Sequence, residues 1–182
     1  MNEPTTNAST SWFTVRAEIS GALSEVSGTQ MARAAAMFTV HDRRWFCSGQ
    51  GRSGLVAQMS AMRLMHAGFD AHAVGEATAP SIGDGDGLIM ISGSGETPVT
   101  LHLAHLARAS GAHLLAVTTR GDSSLAGLAN AVIEVPTGGS NQFGGSLFEQ
   151  SALLLLDALI LDITAAVPRV YDEMRARHTN LQ

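Results

Sequence analysis

Two periods of apolar spacing alternate along this chain. Short apolar runs of strand length occur at 45–47, 71–74, 88–91, 113–118 and 132–135. Around them the apolar positions return every three or four residues, the spacing of one helix face. Trp12, Val15, Ile19, Leu23 and Val26 form the first such stripe. Gly28 interrupts it, 31–40 continues as a second helix, and His41-Asp42-Arg43-Arg44 is a turn. Further helices are expected at 55–67, 97–110 and 125–130, in a long apolar segment from Ser146, and after Pro168. Strands alternating with helices predict an α/β protein, a three-layer α/β/α sandwich around a five-stranded parallel doubly wound sheet. Residues 1–11 are polar and read as a frayed end, leaving 12–182 as a single domain.

Position 147–163 is apolar nearly all round: Leu147, Phe148, Leu153, Leu154, Leu155, Leu156, Leu159, Ile160, Leu161 and Ile163. One sheet face cannot cover such a helix, so a subunit interface is expected there. Glu149, Asp157 and Asp162 interrupt it, which argues for a buried helix and against a membrane span.

The chemistry concentrates where strands meet helices. Leu88-Ile89-Met90-Ile91 runs into Ser92-Gly93-Ser94-Gly95-Glu96-Thr97 and then into a helix. A helix N-terminus has unpaired N–H groups and partial positive charge, so it attracts anions. Ser92, Ser94 and Thr97 add hydroxyl donors, and Gly93 and Gly95 allow close backbone approach, so the loop reads as a phosphate cradle. Ser94 or Thr97 as an ordinary cap is the plainer alternative. A second glycine loop, Ser48-Gly49-Gln50-Gly51-Arg52-Ser53-Gly54, follows the first strand. Gly49, Gly51 and Gly54 also match a dinucleotide-binding fingerprint, but no acidic residue ends the next strand where that motif needs one, and Glu76 falls two residues beyond it. Pro136 to Gly145 is a Gly-rich stretch suited to a mobile edge of the site.

Composition narrows the field. The chain has 182 residues and a net charge of −5, without a basic block, which argues against nucleic acid or an anionic membrane as partner. No secretory signal is evident and Cys47 is the single cysteine, which fits a reducing cytoplasm and a small buried side chain. All 11 basic residues are arginine, so lysine Schiff-base chemistry and a lysine phosphate clamp are excluded. His102 and His105 share one face of a helix without an evident third ligand, so two exposed histidines are expected and no metal.

With these residues in place the chain resembles the sugar isomerase (SIS) domain family, and within it the 6-phospho-3-hexuloisomerase branch. The matching blocks are Gly51-Arg52-Ser53-Gly54-Leu55, Ala61-Met62-Arg63-Leu64-Met65-His66, Ser92 to Thr97, Gly145-Ser146-Leu147-Phe148-Glu149-Gln150 and Arg177-His178-Thr179-Asn180-Leu181. The Ser-Gly-Ser-Gly-Glu-Thr loop is widespread in the family, whereas the Phe-Glu-Gln block and the Arg-His-x-Asn-Leu ending are more specific to the branch. Ser48-Gly49-Gln50 departs from the Ala-Gly that often precedes the Arg-Ser-Gly loop, and 137–144 is individual in sequence.

The resemblance implies a homotetramer that interconverts D-arabino-hex-3-ulose 6-phosphate and fructose 6-phosphate, without metal or organic cofactor. It implies a place after 3-hexulose-6-phosphate synthase in formaldehyde fixation by the ribulose monophosphate route. Shifting a ketone from C3 to C2 through an enediol needs a base, a carbonyl polariser and a fixed phosphate. Ser48, Gly51, Arg52 and the residues Ser92, Gly93, Ser94, Gly95, Glu96 and Thr97 are the expected substrate contacts, with Arg52 offering a forked donor set. The resemblance puts the catalytic base at Glu149, although the helix dipole alone would favour a glutamate there. It also assigns ring opening or proton shuttling to His178, a tail residue that reaches a neighbouring subunit's site in this family. Glu96 reads first as a helix-start acid, and Glu76 as a weaker candidate for a hydroxyl contact. Asp157 and Asp162 are expected in interface hydrogen bonds. Two other functions remain open: a silent SIS module that senses a sugar phosphate, and an aldose–ketose isomerase for another sugar phosphate such as arabinose 5-phosphate.

Overall fold

The structure, a computed structural model, describes residues 10–40 and 42–181. Residues 1–9 of the fray expected over 1–11, and the His41 end of the 41–44 turn, lie outside the described residues, while Ser11 is already helical. Helices α1 (Ser11–Ser24) and α2 (Gly28–Ala36) lead through a 3₁₀ turn into β1 (Trp45–Gly49) and α3 (Arg52–His66). There follow β2 (Ala71–Ala73), β3 (Gly87–Ile91), α4 (Pro98–Ala109), β4 (His113–Thr118), α5 (Ser124–Leu128) and β5 (Ala131–Glu134). Two helices finish the chain, α6 (Ser146–Thr164) and α7 (Val170–Arg177).

The five strands are all parallel, in the order β2-β1-β3-β4-β5. Successive side chains of a strand point to opposite faces, so β1 divides its residues between two cores. Trp45 and Cys47 pack with α2, α3 and α6, while Phe46 packs with α4 and α5. Trp45 is fully buried and stacks on Phe38, with ring centroids 4.0 Å apart. The order reverses between β1 and β3, so the loops after these two strands diverge around a crevice at the C-terminal edge of the sheet.

Element boundaries depart from the sequence pattern in instructive ways. Gly28 opens α2 because Ser27 caps it, the Ser27 hydroxyl accepting from the Gln30 N–H. Helix α3 begins at Arg52, three residues before the pattern indicated, so Ser53 and Gly54 are helical. The reason is a close approach of strand and helix: a Cβ on Gly49 would lie 2.6 Å from the Ser53 carbonyl, and one on Gly54 2.9 Å from the Gly49 oxygen. These glycines serve β1–α3 packing, a use that requires no dinucleotide.

Much of the all-round apolar α6 is covered within the chain. Leu147, Phe148, Leu155, Leu156, Leu159 and Ile160 are buried against the sheet and the neighbouring α1, α2 and α3, leaving Leu154 and Leu161 exposed. Asp157 faces Arg63 of α3 at 3.7 Å, an ion pair inside the chain. No helix among the described residues is long and apolar enough to cross a membrane. Cys47 sits in the core as expected, and burial pushes its thiol up to about 12. The native protein should therefore resist an aromatic disulfide reagent at pH 8 and react stoichiometrically once unfolded in guanidinium, as followed by absorbance.

Candidate active site

A parallel sheet sends each strand into its helix at the same edge, so the heads of α3, α4 and α6 gather above β1, β3 and β5. None of the three has a side-chain cap: Gly51 precedes α3, Thr97 precedes α4 and Gly145 precedes α6. Helices α2 and α5, by contrast, are capped by Ser27 and Ser123. The plain capping role for Ser94 or Thr97 is therefore not the one observed for α4. Uncapped N-termini carry unsatisfied N–H groups and partial positive charge.

The cradle is held from behind. The Gly93 carbonyl accepts from the Thr119 N–H at 3.0 Å and from the Thr118 and Thr119 hydroxyls at 3.1 and 2.8 Å. A planar trans peptide then turns the Ser94 N–H the other way. The N–H groups of Gly93, Ser94 and Thr97 find no acceptor among the described residues. Gly95 has φ +65, and a Cβ there would stand 2.2 Å from the Ser123 hydroxyl oxygen. Ser92 is buried with its hydroxyl 3.5 Å from that of Thr97, and Ser94 is exposed. Ser48, near the end of β1, is buried. The Glu96 carboxylate accepts from the Ser124 N–H at 2.8 Å, tying the cradle to α5, and that hydrogen bond holds its pKa below the usual range.

Across the crevice, Phe148 of α6 packs on Gly93, where an added Cβ would meet its ring at 3.3 Å. The next residue, Glu149, forms an ion pair with Arg52 at the head of α3, Arg52 Nε donating to Glu149 Oε2. Glu149 is largely covered and Arg52 largely exposed, at 14% and 60% of side-chain area. The two terminal guanidinium nitrogens of Arg52 donate to nothing among the described residues. The fold thus brings Arg52 to Glu149 across 97 positions of sequence, with the neighbouring Phe148 against Gly93 of the cradle.

His178 does not join them within the chain. It stacks on His66, the last residue of α3, with centroids 5.3 Å apart, and Arg177 donates to the His66 carbonyl at 3.0 Å. Arg52 is the first residue of that 15-residue helix, so the two ends are about 21 Å apart. Glu76 lies on the loop after β2, weakly engaged with the Ala73 N–H at 3.4 Å. His102 and His105 are exposed on α4, and no cluster of three metal-ligating side chains occurs among the described residues.

A family model, the SIS domain, matches residues 38–161. The chain belongs to the SIS domain family. Among SIS relatives, the 3-hexulose-6-phosphate isomerase of Mycobacterium gastri is 39% identical over 176 residues, covering 92% of this chain and 88% of that protein. The 3-hexulose-6-phosphate isomerase of Bacillus subtilis (strain 168) is 40% identical over 146 residues, covering 75% and 79%. A hypothetical protein of Methanococcus jannaschii, whose crystal structure was taken to infer a 3-hexulose-6-phosphate isomerase function, superposes with a TM-score of 0.84 at 30% identity, covering 94% and 99%.

Position 95 of this SIS chain offers a direct test of the cradle. Gly95→Ala should cost about 1–3 kcal/mol of stability, because the backbone is left-handed and the methyl collides with Ser123. It should also weaken binding of inorganic phosphate by about tenfold or more. Thermal melting and calorimetry measure the two effects separately.

Proposed function

We propose that this chain is an isomerase that interconverts D-arabino-hex-3-ulose 6-phosphate and fructose 6-phosphate. The observation that carries the proposal is the Arg52–Glu149 pair beside the open heads of α3, α4 and α6. The names of the 39–40% identical relatives support the substrate. The phosphate lies on Ser92 to Thr97, with Ser48, Gly51 and Arg52 completing the contacts. Glu96 keeps one carboxylate oxygen on Ser124 and offers the other to a sugar hydroxyl.

The ion pair suggests how substrate and base are linked. While Arg52 holds the Glu149 carboxylate, its negative charge is masked. An incoming phosphate competes for the same guanidinium, a stronger draw because the phosphate is more highly charged and accepts a forked pair of bonds. Glu149 is then released as a base only when substrate is seated. It removes the proton from C2 of the 3-ketose, the C3 carbonyl becomes the oxygen of an enediol, and the same proton is returned to C3. The proton on the C2 hydroxyl moves to the C3 oxygen, and a ketone at C2 remains. No oxidant or reductant is consumed.

His178 opens the sugar ring or carries the hydroxyl proton, acting in the site of a neighbouring subunit. Its distance from Arg52 in its own chain supports this service in trans. An exposed apolar row on α3, Leu55, Met59 and Met62 at helical spacing, with Leu154 and Leu161 on α6, supports a homo-oligomer, taken here as a tetramer. The enzyme works in the cytoplasm without metal or organic cofactor, downstream of 3-hexulose-6-phosphate synthase in the ribulose monophosphate route. Loop 137–144 closes one edge of the site.

Purified protein should convert enzymatically made hexulose 6-phosphate to fructose 6-phosphate, with excess chelator present, in a coupled dehydrogenase assay. Glu149→Gln should lower kcat by about 100- to 10,000-fold while retaining sugar-phosphate binding. Tight binding without turnover by the native protein would instead identify a sensor, and faster turnover of arabinose 5-phosphate an aldose–ketose isomerase. A further expectation concerns assembly. Co-refolded Glu149→Gln and His178→Ala chains should recover turnover well above either variant alone, because mixed oligomers contain sites with both groups intact. Equal inactivity of mixture and separate variants would place both groups' action on one chain.

A further inference from the structure

The loop that leads into α6 is fixed by a single carboxylate from the opposite end of the chain. Glu18 of α1 accepts four hydrogen bonds from three consecutive loop residues. Its Oε2 receives the Ser140 hydroxyl at 2.7 Å and Gln142 Nε2 at 3.0 Å. Its Oε1 receives the Asn141 N–H at 2.8 Å and Asn141 Nδ2 at 2.9 Å. The Ser140 hydroxyl accepts in turn from the Gln142 N–H at 3.0 Å.

The contacts continue to the base. The Phe143 carbonyl accepts from the Ser146 hydroxyl at 2.8 Å and the Ser146 N–H at 3.3 Å, and the Gly145 carbonyl accepts from the Glu149 N–H at 3.0 Å. Because α6 has no side-chain cap, the path of the preceding loop sets its first turn. That loop contains Gly138, Gly139, Gly144 and Gly145 and would sample many conformations without a tether. We propose that Glu18 is a positioning residue of the site, holding loop 140–142 so that the head of α6 presents Glu149 to Arg52 and the substrate. This proposal rests on the isomerase reading for its effect on turnover, and on geometry alone for the tether.

A carboxylate suits the task because it only accepts, and all four of its partners donate. The Asn141 backbone N–H foremost, then the Ser140 hydroxyl and the Gln142 amide, lower its pKa from 4.5 to about 2. A depressed folded pKa means the tether is complete above about pH 4.5 and is lost only as pH falls toward about 2, so Glu18 stays anionic wherever the enzyme works.

Glu18→Gln replaces one acceptor oxygen with a donor facing donors, at nearly unchanged volume. Hydrogen exchange of segment 140–149 should accelerate in this variant, with the sheet unaffected. A displacement of the base by about 1 Å should lower kcat by about 10- to 100-fold, while KM, governed by the untouched cradle, changes little. If Glu18 acts through Glu149, adding Glu18→Gln to Glu149→Gln should cause almost no further loss, whereas a merely structural role would give additive losses. Ser140→Ala with Asn141→Ala attacks the same contact from the loop and should reproduce the kcat effect even if the Glu18 variant folds poorly. Unchanged exchange, unchanged kcat or additive losses would overturn the proposal. Should the native protein turn over no hexulose 6-phosphate, the isomerase reading fails, and exchange alone then decides whether Glu18 orders the head of α6.

Discussion

The structure depends on an electrostatic consequence of parallel strand pairing. Five strands that run the same way send the helices that follow them off the same edge, so their positive ends accumulate there. A serine side chain quiets the heads of α2 and α5. The heads of α3, α4 and α6 are not, and all three stand at that edge. Their free N–H groups suit an anion with several oxygens, which a phosphate provides. Everything else at the site arranges itself around that unmet demand.

Close packing makes the arrangement rigid. Gly49 brings α3 onto β1, and Gly95 sets the cradle backbone against Ser123. Thr118 and Thr119 hold the Gly93 carbonyl from the next strand, and Phe148 lies across Gly93 from α6. These contacts come from four separate stretches of chain. Each limits how far a neighbour can move, so the cradle does not need a ligand to hold its shape.

The Arg52–Glu149 pair links this rigid half to the loop-borne half. Arg52 belongs to the α3 head, and Glu149 to α6, whose approach is set by loop 136–145 and by Glu18 from the first helix. In the proposed mechanism, a base held by the same guanidinium that recruits the substrate's phosphate is both protected and primed. The tail is the remaining variable: His178 rests on His66 at the far end of α3, where burial lowers the His66 pKa and Arg177 fixes the chain.

Much of this was legible in the residues themselves. The alternation of apolar periods determined the α/β architecture and the five strands, and the hydroxyls and glycines of Ser92 to Thr97 marked that loop as one suited to an anion, because period and turn chemistry are local properties. The matching blocks pointed to Arg52 and Glu149 as site residues, and their meeting required the fold. The α3 start at Arg52 was hidden because glycine next to a strand reads locally as loop, and only the contact between Gly49 and Gly54 explains it. The cover over α6 was underestimated, since α1 and α2 reach it only after the chain folds back. Glu18 carried no signal at all: an isolated glutamate on an amphipathic helix is ordinary, and its partners lie more than 120 residues away. Local sequence determines which elements form and which loops favour an anion. Only tertiary packing decides which side chains share one crevice, because hydrogen bonds and ion pairs act over a few ångströms of space and take no account of separation along the chain.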